Sequence, residues 1–116
     1  MYNIPDNFNK ELLVGLEVQQ ISFATNTIVI GFGQNSYLQI DCKLSLTTNG
    51  IERHFNVMKS TEATDILKLL DKKITSVSFK NNDLTLIFEG ENSLTIFPES
   101  NYESYYIVID SVQTII

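Results

Sequence analysis

Few side chains in this sequence could carry out catalysis. Nucleophilic catalysis needs a nucleophile, a base and a group that orients the base. The sole histidine, His54, shares the polar face of a predicted strand with Glu52 and Asn56, and the sole cysteine, Cys42, lies on a regular apolar face. We therefore interpret His54 as an exposed strand residue and Cys42 as a buried, unreactive thiol.

Metal and cofactor sites are also not indicated. Zinc needs three or four Cys, His or carboxylate ligands, and the chain has one cysteine and one histidine. Gly31-Phe32-Gly33 lies at a strand end with no helix after it, unlike a dinucleotide-binding loop. A pair of catalytic carboxylates stays open, because any two of the 14 acidic residues can meet in space. We expect a protein without a metal or cofactor that is not an enzyme.

Length and composition describe the setting of these residues. The chain has 116 residues, of which 43% are hydrophobic, and these values are typical of a single globular domain spanning 1–116. No apolar run approaches the ~20 residues that span a bilayer. A single cysteine fits a reducing compartment, and the polar first twenty residues do not resemble a secretory signal. We expect a cytoplasmic protein.

The charge is unevenly distributed along the chain. Residues 1–80 contain eight acidic and eight basic residues, so the whole net charge of −6 lies in residues 81–116. Such a region repels phosphate backbones and anionic membranes, and we expect neither as a partner. It is either a solvated surface or a docking face for a basic partner. The acidic residues of this region are Asp83, Glu89, Glu91, Glu99, Glu103 and Asp110.

Three tyrosines, Tyr102, Tyr105 and Tyr106, lie among these acids in the sequence. Tyrosine beside carboxylates is common at protein–protein interfaces, where the ring buries area and the hydroxyl keeps a polar partner. The alternative is that they seal a sheet edge. The six acids and three tyrosines form a predicted acidic face, with the contact placed in the loops around 89–92 and 98–104.

Alternation of apolar and polar residues dominates the pattern. Tyr37–Leu46, Thr27–Phe32 and Leu84–Phe88 each repeat with a period of two, which predicts strands with one buried face. Asn49-Gly50 predicts a hairpin turn, because both residues tolerate a positive φ. One segment differs: its apolar residues have i, i+3, i+4 and i+7 spacing, which predicts an α-helix over 60–72 that packs on a sheet. Those residues are Ala63, Ile66, Leu67 and Leu70.

The chain also contains an internal repeat. A shift of 56 residues aligns Val18–Ile40 with Ile74–Ile96 without a gap and with six identities. We interpret this as two antiparallel meanders, 12–58 and 73–112, joined by the helix over 60–72. The predicted fold class is mainly β: an antiparallel β-sandwich or partial barrel of two pseudo-repeated meanders with one connecting α-helix.

Two short elements carry a resemblance to a known class of proteins. Leu13-Val14-Gly15-Leu16-Glu17-Val18-Gln19-Gln20-Ile21 resembles the opening Leu-x-Gly-x-x-Val-x-x-Ile/Val of a family of small bacterial domains. Tyr102-Glu103-Ser104-Tyr105 resembles its closing aromatic-Glu-Ser-aromatic element, in which Trp usually stands at the position of Tyr105. Such domains are often immunity proteins encoded beside polymorphic toxins, including those of contact-dependent growth inhibition. The resemblance implies a β-rich fold and a toxin-neutralising role.

The expected function is therefore that of an immunity protein that binds and neutralises a cognate bacterial toxin. A basic nuclease fits best, because its cleft must carry Lys and Arg to hold phosphates, and an acidic face could occlude that cleft. The alternative is a small-ligand-binding β module of unknown specificity. Such a module would use the space between the meanders as its pocket, and Arg53 is the polar residue that the alternation directs inward.

Overall fold

The alternating segments form β-strands, as their period of two predicts. The structure is a computed structural model that describes residues 4–6, 8–99 and 104–116. Within these residues there are ten strands and two 3₁₀ segments, Lys10–Leu12 and Val57–Leu69. The strands are β1 (Gln20–Ala24), β2 (Thr27–Gly33), β3 (Ser36–Ile40), β4 (Lys43–Thr48), β5 (Ile51–Phe55), β6 (Ile74–Lys80), β7 (Asp83–Phe88), β8 (Asn92–Phe97), β9 (Tyr105–Ile109) and β10 (Val112–Ile115).

The described strands form two five-stranded antiparallel sheets, which pack as a sandwich. Sheet 1 has the order β1-β2-β3-β9-β10, and sheet 2 has the order β6-β7-β8-β4-β5. The prediction of a mainly β antiparallel sandwich is confirmed. The central inner-face side chains are at most 2% exposed: Ile28, Ile30, Leu38, Ile40, Leu44, Leu46, Leu84, Leu86, Leu94 and Ile96. Apolar side chains thus fill the interior in which the ligand-module alternative would place its pocket.

Each repeat contributes three strands to one sheet and a hairpin to the other. The first repeat places β1–β3 in sheet 1, and its hairpin β4–β5 pairs with β8 in sheet 2. The second repeat places β6–β8 in sheet 2, and its hairpin β9–β10 pairs with β3 in sheet 1. The sequence interpretation assigned all strands of a meander to the same layer, and this is wrong for these two hairpins. Alternation shows which residues are buried but does not show in which sheet a strand is paired.

Backbone hydrogen bonds at the start of each repeat reveal a pseudo-two-fold axis. The N–H of Gly15 donates to the carbonyl of Ile74 at 2.8 Å, and the N–H of Asp71 donates to the carbonyl of Val18 at 2.9 Å. Each of these residues has its counterpart 56 positions away, as in the sequence repeat. The segment of resemblance around Gly15 thus lies at the junction of the repeats.

Two pairs of residues related by the same shift meet on this axis. Glu17 forms an isolated antiparallel bridge with Lys73, and Lys43 Nζ lies 3.9 Å from Glu99 Oε1. A residue can contact its own repeat equivalent only beside the axis that relates the two. The axis therefore leaves the sandwich near Glu17 at one end and near Glu99 at the other.

The connecting segment lies where a helix is predicted, but its turns are of the 3₁₀ type. It spans Val57–Leu69 rather than 60–72, and non-helical dihedral angles interrupt it at Ala63. Ala63, Ile66 and Leu69 are fully buried at a spacing of three, which is the period of a 3₁₀ helix. The predicted α-helical stripe also contained Leu67 and Leu70, and both of these side chains are exposed.

The topology gives the sandwich two different ends. The crossover end contains the turns at 25–26 and 81–82 and the connections from β3 to β4 and from β8 to β9. The hairpin end contains the turns at 34–35, 49–50, 89–91 and 110–111. A strand of six residues separates the two ends by about 20 Å.

Candidate functional site

The acids of the predicted face do not lie together. Asp83 and Glu99 lie at the crossover end, whereas Glu89, Glu91 and Asp110 lie at the hairpin end. The cause is β8, which runs from the loop around 89–92 to the loop around 98–104 and so places the two predicted contact loops at opposite ends. The prediction of a single acidic face is therefore wrong, because the described acids form two separate groups. Two predicted members lie outside the described residues: Tyr102 and Glu103.

The hairpin-end acids shape their own turns. The Glu89 carboxylate accepts a hydrogen bond from the N–H of Lys73 at 2.8 Å, so it ties β7 to the start of β6. Glu91 and Asp110 have φ values of 62° and 49°, in the left-handed region that tight turns need. The positions of these three residues follow from local structure, and no partner is needed to explain them.

The two described tyrosines differ in exposure. Tyr105 is fully buried, and its hydroxyl donates a hydrogen bond to the carbonyl of Asn82 at 2.9 Å. Burial raises the pKa of this hydroxyl. Tyr105 is therefore removed from the predicted contact residues, because it offers no surface to a partner. Its neighbour Tyr106 is half-buried on the outer face of sheet 1, next to Gln39 and Ile115.

Asp41, a residue that the sequence prediction omitted, is the most firmly held carboxylate at the crossover end. The hydroxyl of Thr27 donates to its Oδ1, and the Gln39 amide donates to its Oδ2 at 3.2 Å. The sequence contains a signal for it, because Asp41 is the sole acidic residue in the alternating run from Tyr37 to Leu46. Two donors fix the direction in which this carboxylate points.

Three carboxylates act together on the buried thiol at this end. Burial, reinforced by the negative charges of Asp41, Glu99 and Asp83, raises the pKa of the Cys42 thiol to about 12. All three acids lie at the crossover end, so we call them the crossover-end carboxylates. Lys43 offsets part of the charge of Glu99 across 3.9 Å. The prediction that Cys42 is buried is confirmed, with 1% exposure.

An open groove lies beside Asp41. Its volume is about 680 Å³, and its walls are the β1–β2 turn, Asn56, Val57 and Met58. The Met58 side chain is 66% exposed although it is large and apolar. A carboxylate held in place beside a flexible thioether can receive the charged group and the aliphatic stem of a lysine or arginine.

His54 lies on the exposed outer face of sheet 2, as predicted. Its Nε2 is 2.7 Å from Glu52 Oε1, and its ring stacks on Phe97 with centroids 5.9 Å apart. Arg53, predicted to point inward, instead places its guanidinium 3.0 Å from Asp65 on the 3₁₀ segment and is 62% exposed. This correction arises because β5 is an edge strand, where a long side chain can turn outward.

Comparison with known proteins places the chain in a family. A model described as "Family of unknown function (DUF6188)" matches residues 10–115. The chain belongs to this family. Neither the curated proteins nor the solved structures contain a match. The DUF6188 match spans both repeats and includes all three crossover-end carboxylates.

The described part of this DUF6188 chain has neither a metal-ligand cluster nor a membrane-spanning helix. Among these residues, no three or more His, Cys, Asp or Glu side chains are grouped so as to hold a metal ion. Neither 3₁₀ segment is long and apolar enough to cross a membrane.

Proposed function

We propose that this protein is an immunity-type inhibitor that binds and neutralises a basic bacterial toxin through its crossover end. The observation that carries the proposal is Asp41, whose carboxylate is held by two hydrogen bonds in the wall of the open groove. Asp83 and Glu99 add negative charge at the same end of the sandwich. The resemblance of residues 13–21 to immunity-type domains supports the class of protein. The net charge of −6 supports a basic partner.

A nuclease is the toxin class that fits this chemistry. A nuclease holds the phosphates of its substrate with lysine and arginine side chains, and these cations line its active cleft. Carboxylates offered at the right positions pair with the same cations and so exclude the substrate. The inhibitor then needs no catalytic group of its own.

Asp41 is suited to anchor such a contact. Because Thr27 and Gln39 already orient its carboxylate, an incoming cation does not have to order it. The neighbouring Met58 can cover the methylene groups of a lysine or arginine. Glu99 and Asp83 add the longer-range attraction that accelerates encounter with a basic surface.

The test uses the protein encoded directly beside this chain's gene, since an immunity protein is produced with its toxin. We expect the purified chain to bind this neighbouring protein and to abolish its nuclease activity at equimolar concentration. The triple variant Asp41→Asn, Asp83→Asn, Glu99→Gln should require at least tenfold more inhibitor, since each lost charge-assisted contact costs about 1.5 kcal/mol or more. The proposal fails if the neighbouring protein is neither bound nor inhibited.

A matched control removes the same charge from the opposite end. The variant Glu52→Gln, Glu91→Gln, Asp110→Asn changes three exposed acids towards the hairpin end and leaves the crossover end intact. We expect it to inhibit like the unmodified chain. Equal loss of inhibition in both triple variants would mean that total charge, and not the crossover end, determines binding.

A further inference from the structure

The two repeats end in equivalent hairpins whose outer strands differ in charge. A shift of 61 residues superimposes the register of β9–β10 on that of β4–β5. On β5 the edge carries Glu52, Arg53 and His54, which discourage another strand from pairing there. The equivalent positions on β10 are uncharged: Gln113, Thr114 and Ile115.

The remaining edges of the sandwich are covered. β1 lies against the 3₁₀ segment Val57–Leu69, and β6 lies against the segment Lys10–Leu12. β6 also has an irregular register between Ile74 and Ser76. No described element covers β10 to a similar extent. Long or flat edges without charge, bulge or cover are the ones that accept a further strand.

The backbone of β10 has unpaired groups on its outer side. The N–H of Ile116 donates to the carbonyl of Tyr105 at 2.8 Å, which fixes the alternation of the hairpin. Val112 and Thr114 therefore face β9, whereas the N–H and carbonyl groups of Gln113 and Ile115 point outward. Among the described residues these outward groups have no hydrogen-bond partner.

Apolar surface lies next to this edge. A groove of about 410 Å³ has a mainly apolar lining that includes Pro5, Phe8, Leu12 and Val112, with Asp110 at its hairpin end. Val112 is 70% exposed and Leu12 is 52% exposed, so two of the most exposed apolar side chains meet at one groove. These side chains give a strand that pairs with β10 apolar surface to pack against.

We propose that β10 pairs antiparallel with β10 of a second copy of this chain, which joins two sheets into one continuous ten-stranded sheet. The two-fold axis passes through Thr114, so that Gln113 of each copy faces Ile115 of the other. Both of these pairs exchange N–H···O bonds, which satisfies the outward groups. Val112 then meets Ile116 of the second copy beside the groove.

The charge distribution along β10 favours a second copy as the partner strand. No charged side chain lies between Val112 and Ile115, so the edge selects a neutral strand, and its own sequence is one. The two Asp110 residues lie eight strand positions apart, about 26 Å, and do not repel across the junction. A pair of four-residue strands is smaller than a stable interface of about 1,200 Å², so we expect a weak dimer.

This inference is independent of the proposed function. In the antiparallel arrangement the crossover ends of the two copies point in opposite directions, so each remains open to its own partner. A monomer that inhibits the toxin would leave the proposed function standing. A dimer that fails to inhibit would leave this inference standing.

Sedimentation equilibrium of the full chain between about 10 μM and 1 mM tests the pairing, because small interfaces give dissociation constants in this range. We expect a reversible monomer–dimer equilibrium. Val112→Glu should raise the dimer dissociation constant at least tenfold, since it places a carboxylate in the apolar junction. The matched control is Ile51→Glu at the equivalent, 59% exposed position of β5, and it should leave the constant within twofold.

Hydrogen exchange supplies a second readout that does not depend on a variant. The amides of Gln113 and Ile115 should exchange more slowly at 1 mM than at 10 μM, while the outward amides of Glu52 and His54 should not change. A monomer at every concentration would overturn the proposal. A dimer weakened equally by Val112→Glu and Ile51→Glu, or one that leaves the Gln113 amide unprotected, would also overturn it.

Discussion

The two repeats share their interior and differ at their surfaces. Leu38 and Leu94 occupy equivalent positions and are both fully buried, and the hydrogen bonds of Gly15 and Asp71 repeat across the axis. The segments that cover the edges, the length of the crossover and the charge of the last strand all differ. The comparison teaches that the shared residues specify the fold and that function should lie where the repeats diverge.

The crossover end shows this divergence most clearly. Asp41 in the first repeat stands where the second repeat has Phe97, and Asp83 in the second stands where the first has Thr27. Lys43 and Glu99 are equivalent positions with opposite charge, and they meet on the axis. Neither repeat alone provides the crossover-end carboxylates, because each contributes different members.

The largest expected effect tests the shared interior. Leu38→Ala and Leu94→Ala should each lower the free energy of unfolding by about 3 kcal/mol, because each leaves a cavity in a fully packed layer. Urea denaturation should give two values that agree within about 1 kcal/mol, since both sites belong to the same packing layer. If one variant loses less than a third of what the other loses, the two interiors are not equivalent.

The pH dependence of stability should reveal a titratable group that only the first repeat contains. Cys42 stands where the second repeat has Pro98, and its pKa is raised to about 12 in the folded protein. Above pH 9 the unfolded chain loses the thiol proton first, so stability is intact below that pH and falls as the pH rises towards 12. The slope from this group should be about 1.4 kcal/mol per pH unit.

The control for the pH series is Cys42→Ala, which should remove this slope between pH 9 and 10. Above pH 10 part of the slope should remain, because burial also raises the pKa of the Tyr105 hydroxyl. Thermal unfolding at fixed ionic strength measures both. An unchanged slope in Cys42→Ala would show that the thiol does not titrate differently in the folded and unfolded chain.

The smallest effect on stability compares two equivalent positions in the left-handed region. Gly15 has a φ of 90°, and a Cβ added there would meet no atom within 4 Å, so Gly15→Ala costs only backbone strain. We expect a loss of about 1–2 kcal/mol. Asp71 has a φ of 68°, so the native chain already contains the backbone strain of a non-glycine residue at this position. Asp71→Gly should therefore change the free energy of unfolding by less than about 0.5 kcal/mol. Comparable losses in both variants would contradict the symmetry.

Sequence patterns predict the local elements of this fold well. The period of two identifies the strands from Thr27 to Phe32 and from Leu84 to Phe88, and Asn49-Gly50 predicts the hairpin that the structure contains. The shift of 56 residues predicts the pseudo-symmetry. These features depend on residues close in sequence or on repetition, both of which a single sequence displays.

Long-range placement could not be predicted in the same way. Nothing in the alternation of β4 or β9 indicates that these strands leave their own repeat, because pairing with either sheet buries the same face. The acidic face failed for a related reason: Glu91 and Glu99 are eight residues apart in sequence but are separated by the length of β8. Asp41 was missed because its neighbours Thr27 and Gln39 meet it only in the folded sheet.

The most direct test of the account compares the two ends of the sandwich in one kinetic experiment. Stopped-flow association with the neighbouring toxin should be measured for both triple variants at low and at high ionic strength. We predict that neutralising Asp41, Asp83 and Glu99 slows association about tenfold at low salt and little at high salt, because screening already removes the attraction there. The hairpin-end variant should associate at the unmodified rate. If the hairpin-end variant is the slower one, or if neither variant differs from the unmodified chain, the crossover end is not the binding surface.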